Sequence, residues 1–323
     1  MNRLAIITAF LGGVKNRYMT YQPERTLDEK LALAAQVQSC DGVELCYPAD
    51  FDDPKHLRSL LNRHSLGVSA INFRSRRTGQ WWQGAFSSTL AEERREVVDD
   101  LKRAMDLAAE LGPRRITTCP LNDGTDFPFE ADHARLYDNA ASTLAEACAH
   151  NREVRICLEF KRSDPRARCL FGSAGETAAF CLLTGADNLG VTLDIGHALY
   201  GGENAAQAAA LLARADRLFY VHLNDNDGHW DWDMLPGIHH TWAFVEFFHT
   251  LRRLGYTDDW YAFDVITKEH DTIETFDAAV VLTRQLEDIA ERIDDQHLAA
   301  LMQTRNPAET MRYLYSLLDI AES

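Results

Sequence analysis

The sequence predicts a (β/α)8 TIM barrel with a C-terminal helical extension, and three observations predict it. Apolar runs of strand length alternate with helical patterns through eight rounds, as repeated βα units of a parallel sheet require. The runs are near-continuous in hydrophobicity, as strands buried on both faces must be. Four of the later runs give out on a side chain able to bind metal, Glu159, Asp194, His222 and Asp264, where a site on the C-terminal face of a barrel belongs.

In chain order the expected strands are Leu4–Phe10, Gly42–Tyr47, Val68–Phe73, Arg115–Cys119, Val154–Phe160, Val191–Ile195, Leu218–Leu223 and Trp260–Val265. Between them, helical patterns over Leu90–Leu111, Asp132–His150 and Thr241–Leu254 are bounded by Gly, Pro, Asp or Ser, the usual start and stop residues. No low-complexity linker divides the chain, so residues 1–293 are read as one catalytic barrel domain. From Asp294 two further helical patterns follow, split at Asn306-Pro307, with Met311, Leu314, Tyr315 and Leu318 at helical spacing. This tail, 294–323, is expected to pack on the barrel or on another subunit.

At 323 residues and 46% hydrophobic, the chain can fill one such barrel. Its 49 acidic residues outnumber 33 basic ones, giving a net charge of -16. No basic stripe is present to displace counterions, so a nucleic-acid partner is excluded and neutral or cationic small substrates are favoured. The opening apolar run is too short for a signal peptide, and no run reaches the ~18–20 apolar residues of a membrane span. A cytoplasmic protein with no membrane partner is expected. Seven cysteines, Cys40, Cys46, Cys119, Cys148, Cys157, Cys169 and Cys181, show no CxxC spacing and read as reduced, mostly buried thiols.

Glu159, Asp194, His222 and Asp264 lie 35, 28 and 42 residues apart, so each can top a different strand, the fifth to the eighth. Three carboxylates and one imidazole form a mostly hard set, suited to Mn²⁺, Mg²⁺ or Co²⁺ and compatible with Zn²⁺. A second group overlaps the first: His197 follows Asp194 by three residues across a glycine, and Asp231-Trp232-Asp233 follows the seventh strand. If that segment is extended, both carboxylates project to one side, and Asp194 can bridge two ions with His197, Asp231 and Asp233 completing the second. Five carboxylates converging without partners would repel one another and raise their own pKa values; two divalent ions plus Lys161 neutralise them.

The stretch from about Val154 to Val265 resembles the xylose isomerase-like TIM-barrel family, and most closely its two-metal aldose–ketose isomerases. The similarity rests on Glu159-Phe160-Lys161 with the following Pro165-Arg166, on Asp194-Ile195-Gly196-His197, and on Asp231-Trp232-Asp233, in that order and spacing. The resemblance implies an intramolecular oxidoreductase that interconverts an aldose and a ketose by a metal-assisted 1,2-hydride shift, with two divalent cations per subunit. It implies that Glu159 grips substrate through its metal, that an ion-bound hydroxide beside Asp231 moves the proton between O1 and O2, and that Lys161 polarises the C1 oxygen, as a fixed cation beside a developing oxyanion can. A homodimer or homotetramer is the family habit. The alternative is a ketose 3-epimerase of the same superfamily, using one metal and proton transfer between two glutamates on the fifth and eighth strands; here the eighth strand ends in the shorter Asp264, which favours the isomerase.

Trp81 and Trp82, in the polar loop after the third strand, are candidates to stack on a sugar, or to seal a subunit interface. Phe10 and His197 are further candidates for the substrate pocket. The early strand ends, Glu44-Leu45-Cys46-Tyr47 and Asn72-Phe73-Arg74, offer no histidine for ring opening, which points to a furanose or short-chain sugar. No segment reads as a phosphate cradle, so a free, unphosphorylated sugar is expected. Asn224 and Asp225 are expected to orient the His222 ring or its loop.

Overall fold

The computed structural model describes residues 1–257 and 259–318. Eight parallel strands close into a barrel: β1 Arg3–Ile7, β2 Gly42–Tyr47, β3 Gly67–Phe73, β4 Arg115–Thr118, β5 Arg155–Glu159, β6 Leu189–Asp194, β7 Leu218–Leu223 and β8 Trp260–Phe263. Each strand pairs with its sequence neighbours, and β8 returns to β1 with Ala262 beside Ala5. Closure leaves no unpaired edge among them. Helices fill the connections and cover the outside, among them Ala91–Leu111, His133–His150, Thr241–Leu254 and Thr272–Glu291.

Alternation along each strand sorts the side chains. Leu4 and Ile6 join the large cluster between barrel and helices, whereas Ala5 and Ile7 join a smaller cluster with Ala70, Cys157, Tyr220 and Ala262. Polar pairs share the lumen, Thr117 with Thr192 at 2.8 Å and Tyr220 with Ser69 at 2.7 Å. Cys157, Thr192, Tyr220 and Ala262 each stand two residues before Glu159, Asp194, His222 and Asp264, so the period of two carries those four groups inward at the C-terminal rim.

Five strands end short of expectation, β1, β6 and β8 among them, with β4 stopping at Thr118 and β5 at Glu159 by one residue each. β1 stops at Ile7, because Thr8 Oγ1 donates to Asp50 Oδ2 at 2.5 Å and the chain turns into a 3-10 turn over Thr8–Leu11. β6 stops at Asp194, whose carboxylate accepts the His197 N–H and caps a short helix, Ile195–Gly201. β8 stops at Phe263. A two-stranded antiparallel ribbon, Gly124–Thr125 with Arg168–Cys169, ties the loops after β4 and β5 together. Arg166 braces it by pairing with Asp126 and Glu130.

The tail forms two helices, Asp295–Thr304 and Pro307–Ser316, with Pro307 in the first turn where its missing N–H costs nothing. It packs back on the barrel's outer layer: Asp295 lies 2.7 Å from Arg252 and 3.6 Å from His249, and the Tyr315 ring sits 5.0 Å from that of Trp242. All seven cysteines are free. No helix among the described residues is long and apolar enough to cross a membrane.

Candidate active site and metal centre

The inward positions at the rim bring Glu159, Asp194, His222 and Asp264 together, with one donor atom from each within 4.8 Å of the others. His222 Nδ1 is 3.4 Å from Glu159 Oε1, 3.8 Å from Asp264 Oδ2 and 3.9 Å from Asp194 Oδ2. Glu159 Oε1 and His222 Nδ1 are buried and have no hydrogen-bond partner. A lone pair left this way costs about 1–3 kcal/mol, and a cation at the point of convergence satisfies several at once. The donor set and its orphaned atoms therefore fit a divalent ion.

The imidazole is set for that task by a residue the sequence reading did not use. Glu44, wholly buried on β2, accepts from His222 Nε2 at 3.0 Å and from Asn72 Nδ2 at 2.6 Å. A carboxylate on Nε2 keeps the proton there and turns the Nδ1 lone pair to the cage. Asp194 is fixed on both oxygens: Oδ1 accepts the His197 N–H at 2.8 Å and Oδ2 accepts Asn224 Nδ2 at 2.7 Å. Gly196 permits this approach, since a Cβ there would fall 1.6 Å from Asn224 Oδ1. Asn224 thus orients Asp194 rather than the His222 ring, while Asp225 holds the following loop through His239 and His240.

The second group of sequence candidates lines the same cavity but is arranged differently. Asp231 Oδ2 lies 2.9 Å from Lys161 Nζ and 3.1 Å from His197 Nε2, and Lys161 also reaches Asp164 at 3.2 Å. Asp231 is thereby engaged by two cationic groups. His197 Nδ1 faces Glu159 Oε1 at 3.3 Å. The segment Asp231–Asp233 is not extended, because Asp233 takes φ +49° as the loop folds back to pair Met234 with Asp225. Among the described residues the convergent donor sets are the four-residue cage and Cys119–Glu159–His197; His197, Asp231 and Asp233 do not form one. Burial pushes the Cys119 thiol well up, so it is a poor ligand.

Charge sorts these carboxyls into two groups. Burial raises Glu159, but the His222 and His197 charges overcome it and hold it near 2. Burial opposes ionisation of Asp231 too, yet His197 and Lys161 hold it low. Asp194 is pushed up to about 6 by burial and by Glu159 and Asp231, against the pull of His197. Asp264 rises to about 7 through burial and the Glu159 and Asp194 charges. Burial, Asp231 and Asp264 lift Asp233 well above its ordinary value. Burial works against charge on His197, but Asp194 and Asp231 carry it to about 9. Three carboxyls held high beside two held low mark negative charge in excess of the local cations.

The cavity over the cage encloses about 410 Å³ and is lined by Phe10, Arg74, Arg76, Lys161, His197 and Asp264 among others, a size suited to a small molecule. Trp81 and Trp82 are not in its lining. Trp81 is core, 2% exposed with the Arg77 guanidinium stacked on it, and Trp82 faces out at 77% exposure. Glu44, Asn72, Arg74 and Arg76 are the site residues that sequence reasoning passed over.

A parallel barrel whose C-terminal rim gathers buried acids and an imidazole around orphaned lone pairs defines a TIM-barrel protein with a candidate metal site. The chain belongs to the xylose isomerase-like TIM-barrel family, whose model matches residues 31–298. It is 27% identical over 147 residues to a xylose isomerase of Thermus thermophilus, a match covering 44% of this chain and 38% of that relative. The chain therefore aligns with well under half the length of that curated relative. Among solved structures it resembles an L-ribulose 3-epimerase (TM-score 0.69, 21% identity, 90% of this chain and 96% of that one). It also resembles a D-tagatose 3-epimerase-like protein (0.68, 18%, 90% and 98%) and the 3-keto-D-glucoside 4-epimerase YcjR of E. coli (0.67, 15%, 88% and 100%). At these identities the likeness is one of fold.

Proposed function

We propose that this protein is a divalent-metal-dependent sugar isomerase acting as a ketose epimerase, which inverts the carbon beside a carbonyl by proton transfer. The observation that carries this reading is the single assembled cage, in which Glu159 and Asp264 stand three strands apart on the rim while Asp231 is engaged by Lys161 and His197. The sugar epimerases among the structural neighbours support it.

Glu159, Asp194, His222 and Asp264 would hold the ion, a mostly hard set suited to Mn²⁺, Mg²⁺ or Co²⁺. When bound, the metal supplies Lewis-acid polarisation of a carbonyl and its neighbouring hydroxyl, which acidifies the C–H between them. Glu159 and Asp264 approach the cavity from different strands, so one carboxylate removes the proton and the other carboxyl returns one to the opposite face. Lys161 has three donors; Asp231 and Asp164 take two, and the third is left to donate to a substrate oxygen. Asn224, Glu44 and the His197 N–H hold these groups in place.

A second reading, aldose–ketose isomerisation by hydride shift, is favoured by the presence of Asp231 and Asp233 in the same cavity as Lys161, where a second ion held with His197 would sit. One experiment separates the two. Ketopentoses, ketohexoses, their phosphates and ketouronic acids are incubated in D₂O with protein and Mn²⁺, Mg²⁺ or Co²⁺, and the products are read by NMR. Epimerisation places deuterium on the inverted carbon, whereas a hydride shift yields an aldose that keeps the substrate hydrogen. If no sugar in the panel is converted with any of the three metals, both readings fall.

A further inference from the structure

We propose that the substrate carries an oxyanion group, carboxylate or phosphate, and that Arg74 and Arg76 bind it. This inference rests on the sugar-isomerase reading and names the substrate class of that same site; it replaces the expectation of a neutral sugar drawn from the overall acidic charge.

The segment after β3 alternates. Ser75 turns into the protein, its hydroxyl donating to Cys119 O at 3.4 Å and accepting from Thr118 Oγ1 at 3.1 Å. The residues on either side, Arg74 and Arg76, both line the cavity that holds Glu159, Lys161 and Asp264. Alternation about a pinned residue places i and i+2 on one side, so two guanidiniums share one wall of the pocket.

Neither has a carboxylate within ion-pair distance among the described residues. Arg74 donates only to the Cys46 thiol, at 3.4 Å, and the Arg76 guanidinium makes no hydrogen bond or ion pair. Elsewhere in the fold, Arg77, Arg115 and Arg166 pair with carboxylates, and Arg25, Arg94 and Arg217 donate to backbone carbonyls instead; Arg76 has neither kind of partner among the described residues. The other lysines at the cavity each face carboxylates, Lys161 with Asp231 and Asp164, and Lys15 with Glu24 at 3.8 Å. Burial first, and then the charge of Arg74, pull Arg76 below its ordinary value against the opposing Glu159 and Asp264 charges, whereas burial of Arg74 is overcome by Cys46, Asp264 and Glu44, which raise it. Two adjacent guanidiniums that no carboxylate pairs with at hydrogen-bond distance keep their planar forks free to grip an oxyanion, despite the excess acid charge of the cage beside them.

The test is binding of D-glucitol, D-gluconate and D-glucitol 6-phosphate to the full chain, by calorimetry, both with Mn²⁺ and after EDTA treatment. The proposal expects gluconate or the phosphate to bind at least about tenfold more tightly than glucitol in both states. Arg76→Gln should remove at least about tenfold of that preference, while Arg76→Lys retains part of it. Whichever anion binds more tightly identifies the group. Equal binding of all three overturns the proposal, as does a preference that survives Arg76→Gln or vanishes with EDTA, since the anion would then be reading the metal. Circular dichroism shows whether each variant is folded; should Arg76→Gln not fold, Arg74→Gln and the wild-type preference decide. Turnover of neutral sugars with no anion preference refutes this inference and leaves the proposed function standing, whereas an anion preference without any turnover does the reverse.

Discussion

Replacing Glu44 by glutamine is expected to weaken divalent-metal binding although Glu44 is not itself a ligand. In the wild-type protein the Glu44 carboxylate accepts from His222 Nε2 at 3.0 Å and from Asn72 Nδ2 at 2.6 Å, in a layer closed to solvent. Removing the charge while keeping the shape forfeits a charge-assisted hydrogen bond worth about 1.5–3 kcal/mol, equivalent to about 10- to 150-fold in affinity. Outer partners of ligating histidines are worth about 10- to 100-fold, so the two routes to a magnitude agree. The amide also presents an N–H₂ that, turned toward the ring, would draw the proton to Nδ1 and block the lone pair facing Glu159 and Asp264. The assay is Mn²⁺ affinity by competition with a chromogenic chelator, with circular dichroism confirming the fold. A variant that binds Mn²⁺ within about twofold of wild type would refute the claim that Glu44 sets the imidazole for the cage.

Two other predictions follow from the same geometry. Gly196→Ala puts a methyl where Asn224 Oδ1 stands, so it should displace the amide from Asp194, destabilise the protein by about 1–3 kcal/mol and lower metal affinity; because both changes break one contact, the double variant with Asn224→Ala should lose less than the sum of the single losses in Mn²⁺ titrations. In metal-free protein, Asp194 and Asp264 hold their protons more tightly folded than unfolded, so their contribution to stability is full below about pH 3.8 and is lost as pH rises through about 6 and 7. His197, raised to about 9, loses its own contribution between about pH 6.5 and 9; scanning calorimetry should therefore show the metal-free melting temperature falling from about pH 5 to about pH 8, with the fall reduced by saturating Mn²⁺, and a rise instead would mean that the site carries no excess negative charge.

The barrel and its four-residue cage were legible because each rests on a local rule. A strand alternating in and out delivers its last inward residue to the rim, and Glu159, Asp194, His222 and Asp264 each occupy that place. What was not legible depends on closure. Glu44 and His222 are 178 residues apart, and nothing near either one announces the other until β2 and β7 face across the lumen. A second ion between Asp231 and Asp233 required that segment to be extended, but its path is set by the backbone pairing of Met234 with Asp225, a contact outside the segment. Trp81 and Trp82 show the same limit, since adjacent tryptophans in a polar loop carry no local sign of which one turns inward. Arg74 and Arg76 give no local sign of facing a pocket, because only Ser75's bonds to Thr118 and Cys119 at the end of the next strand turn both of them to one side.

The cage draws all four of its donors from β5 to β8, whereas Glu44, Asn72, Arg74 and Arg76 come from β2 and β3 or the loop that follows. On the proposed reading, reactivity and selectivity are thus written on separate halves of the polypeptide. If that reading holds, variation in the first hundred residues would retune metal strength or exchange one ligand's end group for another while the cage stays intact, and chains that share the later half and diverge in the earlier one would be where to look for different sugar selectivities.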